Sequence, residues 1–163
     1  MARPETAAAS IFRSSNPHEK TTRMSDEEAF HELCGYTLTH SGGGFIHQLV
    51  VDAYAAQHAT AASKAIGVFF SIVGIYLVAE RSFTGRQVQL AHIALAKIRS
   101  EWPQMILPAQ RGSITVHDVL AAPEGEARDA MIHAWARATW DAFSANRAVV
   151  GAFLSQRGII PQA

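Results

Sequence analysis

The chain has 163 residues, 48 % hydrophobic and only 17 % charged, a balance that excludes disorder throughout and is ample for one buried core. Lys plus Arg and Asp plus Glu both number 14, and this zero formal charge, with no basic stripe, argues against nucleic acid as a partner. The lone cysteine, Cys34, excludes an internal disulfide and any multi-cysteine zinc or iron–sulfur site; with no secretory signal it points to a reducing cytoplasm.

Residues 1–23 mix Ala, Ser, Arg and Pro without an apolar period and read as a flexible N-terminal tail, followed by a single helical domain over 24–163. Ser25 and Glu28 have the spacing of a capping box that opens the first helix, with Gly35 predicted to stop it. His31 and Cys34 on that helix read as half-buried packing rather than as a nucleophile and its base. SGGG at 41–44 is a turn. Helices are expected over about 45–58 and about 62–81. The apolar run 65–79, between Lys64 and Glu80-Arg81, is shorter than the roughly 20 residues of a membrane span and reads as a buried core helix.

Thr84 and Gln87 form a second capping box, opening a helix to about Ser100. A proline-bearing connector reaches Gly112, and Thr115 caps the short helix VHDVLAA. Pro123 is placed in the first turn of a last helical stretch, broken near Ser144 and running to Gly158. Ile132, Trp135, Ala136, Thr139, Trp140 and Phe143 recur at helical spacing, as do Val88, Ala91, Leu95 and Ile98, and both stripes are assigned to the core. No segment alternates with period two. The fold expected is an all-α bundle of five to six helices.

The segment FIHQLVVDAYAAQH at 45–58 carries the most chemistry. It is apolar on nearly every side, so its polar residues are expected to be partly buried and in need of partners. His47, Asp52, Tyr54, Gln57 and His58 form the candidate polar cluster. His47 and His58 share a helix face, yet the rise separates them by roughly 16 Å, which no metal bridges. A metal site must therefore draw ligands from several helices, with His47, His58, His92 and His133 as its candidates. A polar network that fixes helix register is preferred over a metal or catalytic cluster.

The phrases HQLVVDAYAAQH at 47–58, RGSITVHDVLAAP at 111–123 and WARATWDAF at 135–143, with the long apolar helix ending in Glu80, resemble an uncharacterised bacterial family, domain of unknown function number fifty-nine forty-six. The resemblance covers most of the chain from about His47 onward. It implies no reaction. Its pattern implies cysteines near the N-terminus, a histidine in the long apolar helix and further histidines after the paired tryptophans. This chain has Cys34, Ser71, Asn146 and Arg147 at those places, which puts a family histidine site in doubt here.

The first functional reading is a non-catalytic binding or regulatory module for a small molecule or protein, with a structural network in its central helix. The alternative is a metal-dependent or acid–base enzyme using an inter-helix His/Asp cluster and a divalent metal. A membrane-associated protein, through 65–79, ranks third, and self-association is left open. No catalytic residue is assigned from the sequence.

Overall fold

The apolar run at 65–79 becomes the axis of the protein. In the computed structural model, which describes residues 23–40, 42 and 44–161, it forms most of helix α3 (Ala65–Arg81), and every residue from Ser71 to Val78 is buried. Four further helices surround it: α2 (His47–His58), α4 (Gly85–Ala96), α6 (Glu126–Phe143) and α7 (Arg147–Gln156). Protein therefore covers this run on several sides, and among the described residues no helix is long and apolar enough to cross a membrane. The first helix, α1 (Asp26–Thr39), packs on α2 and on the short α5 (Val116–Ala121), which also meets α6.

The described residues are helical with no strand. A 3-10 turn at Ser144–Asn146 divides α6 from α7, at the break the sequence predicts, so the two are parts of one helical stretch in a bundle of six helical units. Asn146 makes the break stable: its amide donates to the carbonyls of Ile106 and Phe143, and its oxygen accepts the Ile106 N–H at 2.8 Å.

The three caps form as spaced. Ser25 accepts the Glu28 N–H while Glu28 accepts the Ser25 N–H, and the same exchange joins Thr84 to Gln87 and Thr115 to Asp118. Each satisfies donors that a helix start otherwise leaves open. Both core stripes are buried as expected, with Ile98 at the edge of the core. Trp135 donates its indole N–H to Gln57 Oε1 at 2.9 Å, and Trp140 donates to Glu80 Oε1 at 2.7 Å. The two indoles thus bury their rings without losing a donor.

Several boundaries differ from expectation. Gly35 does not stop α1, which continues to Thr39 because Tyr36 and Thr37 beyond it are buried. The Tyr36 hydroxyl accepts the Gly125 N–H and donates to Asp129, tying α1 to the start of α6. Pro123 lies in the turn before α6, not in its first turn; Gly125, at φ 93°, is the residue that admits the chain into the helix. Helix α2 starts at His47 rather than 45, since Phe45 has φ 49°. The α4 helix ends at Ala96, short of Ser100. The tail expected over 1–23 lies outside the described residues except for Arg23, as do Ser41 and Gly43 of the glycine turn.

Candidate functional site

Helix α2 lies between α1, α3, α4 and α6, which is why its polar residues meet so many different partners. Asp52 points inward and is only 4 % exposed. Gln48, one turn earlier, donates its amide to Asp52 Oδ1 at 3.1 Å, and the same nitrogen lies 3.4 Å from His92 Nδ1 on α4. An amide nitrogen only donates, so His92 Nδ1 is the acceptor and its proton sits on Nε2. Asp52 Oδ2 and His92 Nε2 are both buried without a hydrogen-bond partner.

Room for Asp52 comes from Gly74 on α3. A Cβ there would stand 1.9 Å from Asp52 Oδ2 and 2.5 Å from its Cγ. Burial pushes the Asp52 carboxyl well above the usual carboxylate range, with the Gln48 bond opposing in part. Burial also brings the His92 imidazole down to about 4, with the Phe70 carbonyl acting in the opposite sense. At neutral pH the His92 imidazole is therefore uncharged, and the cluster is a buried carboxyl whose protonated form burial favours, an amide and a neutral imidazole.

The remaining polar residues of α2 diverge. His47 bonds through Nδ1 to Thr37 Oγ1 at 2.8 Å, joining α2 to α1. Tyr54 stacks between Phe30 and His58, each ring centroid 4.0 Å away. Gln57 donates to the carbonyls of Arg111 and Ile114 and accepts from Trp135, so both its donors and its oxygen are engaged in holding the 111–114 segment and α6. Arg111 in turn donates to the Ala59 carbonyl at 2.6 Å, beyond the end of α2. His47, Asp52 and His58 thus contact three different neighbours and do not share a centre. His133 stands exposed on α6, apart from His92. Among the described residues no group of three or more His, Cys, Asp or Glu side chains could hold a metal ion.

His58, at the end of α2, belongs to a second polar group. Its Nε2 lies 3.2 Å from Asp26 Oδ2, and His117 Nε2 on α5 lies 2.8 Å from Asp26 Oδ1. The hydrogen bonds from His58 and His117 hold the Asp26 carboxyl below its ordinary range. Asp26 is an exposed residue in the first turn of α1 and His117 lies in the short capped α5, and no sequence spacing joins either to His58.

Two cavities indent the surface away from Asp52 and His92, neither of which lines them. One of about 530 Å³ lies between the start of α2, the α3–α4 turn and α6, with Ile46, Leu49, Ser82, Phe83, His133 and Arg137 in its wall. Another, of about 430 Å³, is lined by Phe30, Tyr54, His58, Lys64 and Val68.

The motif phrases of α2, α5 and α6 are now placed: they are the segments that build the bundle around Asp52. A family described as a family of unknown function, DUF5946, matches residues 24–144. The chain belongs to that family. The match reaches forward to Met24 and so takes in α1, which the resemblance read from His47 onward did not cover. No curated protein and no solved structure matches the chain. In this DUF5946 member Ser71, Asn146 and Arg147 serve local structure. The Ser71 hydroxyl donates to the Val68 carbonyl at 2.8 Å, Asn146 holds the α6–α7 break, and Arg147 pairs with Glu80 at 2.6 Å.

Proposed function

We propose that the chain is a non-catalytic binding or regulatory module in which the polar residues of α2 hold the register of the surrounding helices. The observation that carries this reading is the enclosure of Asp52: the residue is 4 % exposed and its carboxyl lies against Gly74. A general acid or base must come within hydrogen-bond reach of the group it protonates or deprotonates. His47, Tyr54 and Gln57 are likewise engaged with the protein itself. The 530 Å³ cavity, apolar at Ile46, Leu49 and Phe83 and polar at Ser82, His133 and Arg137, has the size and mixed lining of a small-molecule site. A reducing, cytoplasmic setting accords with the single cysteine.

The second reading, an acid–base enzyme, draws its support from a different place. Asp26, His58 and His117 meet at the surface, and His58 also borders the 430 Å³ cavity.

The experiment that separates the two for α2 is Asp52→Asn at the native locus, compared with deletion of the gene. The amide keeps the shape and the acceptor for Gln48 but cannot exchange a proton at neutral pH. The module reading expects the phenotype exposed by deletion to be absent in the variant, with a change only in protein stability. A variant that folds yet reproduces the deletion phenotype contradicts it.

A further inference from the structure

We propose that the cavity of about 530 Å³ between the start of α2, the α3–α4 turn and α6 binds a small organic monocarboxylate, its apolar body against Ile46, Leu49 and Phe83 and its carboxylate on Arg137. The backbone builds one wall. Gly85, the first residue of α4, lets the chain before α2 come close: a Cβ there would collide with the Phe45 carbonyl oxygen. The Gly44 carbonyl in turn accepts the Arg86 N–H at 2.8 Å, which fixes that chain to the start of α4. Leu49 and Val78, buried in the core, and the half-buried Ile46 and Phe83 supply the apolar surface. A hydrocarbon body laid on it leaves water at no polar cost to the protein.

Charge selects the other end of the ligand. No aspartate or glutamate is among the lining residues, and the one formal cation is Arg137. It donates one N–H to the Ala79 carbonyl at 3.2 Å, in the last turn of α3, which holds the guanidinium at the rim between α3 and α6. Arg128 and Arg147 are each matched by a glutamate, whereas Arg137 pairs with no carboxylate among the described residues. A guanidinium carries further donors in a planar fork that fits a carboxylate.

His133, one turn earlier on the same face of α6, lines the cavity beside it. Burial lowers its imidazole pKa, with Asp129 opposing and Arg137 adding to the fall, so the neutral ring is favoured and adds a hydrogen-bonding group in place of a second charge. One cation beside an apolar wall suits one negative charge on an apolar body. A phosphate or a dicarboxylate would leave its second charge without a counter-ion there.

The site supplies a ligand class for the binding module proposed above and rests on that reading. The two fail separately, since carboxylate binding is read in the purified protein and the Asp52→Asn comparison in the cell. The test is an NMR titration of the full chain at fixed ionic strength with butyrate, hexanoate, isovalerate and phenylacetate, each beside the alcohol of the same skeleton. Wild type is compared with Arg137→Gln, Ala134→Phe and, as a charge-matched control on an exposed residue elsewhere, Arg99→Gln; circular dichroism checks each fold. At least one carboxylate is expected to bind with a Kd of about 1 mM or tighter. It should bind about tenfold more tightly than its alcohol, the margin of a charge-assisted hydrogen bond. Arg137→Gln should abolish that preference and leave the alcohol unaffected. Ala134→Phe, which puts a ring into the cavity, should weaken both, and Arg99→Gln neither. Arg137 is exposed, so its loss removes no core contact and keeps the test decisive if Ala134→Phe fails to fold. No carboxylate bound by the wild type, equal affinity for acid and alcohol, a preference retained in Arg137→Gln, or unaltered binding by folded Ala134→Phe overturns the proposal.

Discussion

Gly74 and Asp52 are a matched pair across the α2–α3 contact: the hydrogen of the glycine faces the carboxyl, and a methyl in its place would stand 1.9 Å from Oδ2. The acid occupies the space a side chain on α3 would otherwise fill, which lets α2 and α3 lie close while a polar group sits between them. Gly74→Ala should therefore destabilise the fold by about 2 kcal/mol or more, the usual cost of overpacking plus displacement of the Gln48 bond. In an Asp52→Ala background the same change should cost much less, since the new methyl enters the vacated space. A double-mutant cycle by urea denaturation measures the coupling, and additive effects would contradict the pairing.

The two buried titratable groups give opposite dependences on pH. Asp52 has its folded pKa raised above 3.8, so its contribution to stability is full below that value and declines as pH rises toward the folded pKa. His92 has its folded pKa lowered from 6.5 to about 4, so its contribution is full above 6.5 and is lost as pH falls to about 4, by roughly 3 kcal/mol at most. Above about pH 4 the two slopes oppose each other until Asp52 reaches its raised folded pKa, and the wild-type profile should be flattened there. Asp52→Asn should expose the rising slope of His92 in that window, and His92→Gln the falling slope of Asp52. Thermal melts across pH 4–8 for the three proteins check the sign of each.

Gln57 satisfies Arg111, Ile114 and Trp135 at once. Gln57→Leu leaves the Trp135 indole N–H and two carbonyls without that partner and should cost about 2–4 kcal/mol. Denaturation with the tryptophan fluorescence followed in parallel checks this. A loss below about 0.5 kcal/mol, the range of ordinary surface substitutions, would show that the clamp is dispensable.

The helices were legible because their starts and faces are written locally. Ser25 with Glu28, Thr84 with Gln87 and Thr115 with Asp118 cap three of them, and the tryptophan stripe of α6 declares its buried face. Gly35 and Pro123 misled because local preference yields to burial: Tyr36 and Thr37 carry α1 past the glycine, and Gly125 opens α6 two residues beyond the proline. The polar character of α2 was also legible, and the prominence of Asp52 with it. What its residues touch was not. Gln48 meets His92 at a separation of 44 residues, and Asp26 meets His58 and His117 at separations of 32 and 91, distances over which no spacing rule operates. Gly74 lay inside an apolar run, where nothing local marked it as the counterpart of an acid.

The central claim is that Asp52 is a buried, structural acid. The most direct measurement is the carbon-13 NMR titration of its side-chain carboxyl, assigned by the signal missing in Asp52→Asn. The account predicts a titration midpoint well above 3.8, the protonated form being held by burial. A carboxyl that titrates near its ordinary value of 3.8 would show that water or a cation reaches it, and would contradict the structural role assigned to α2.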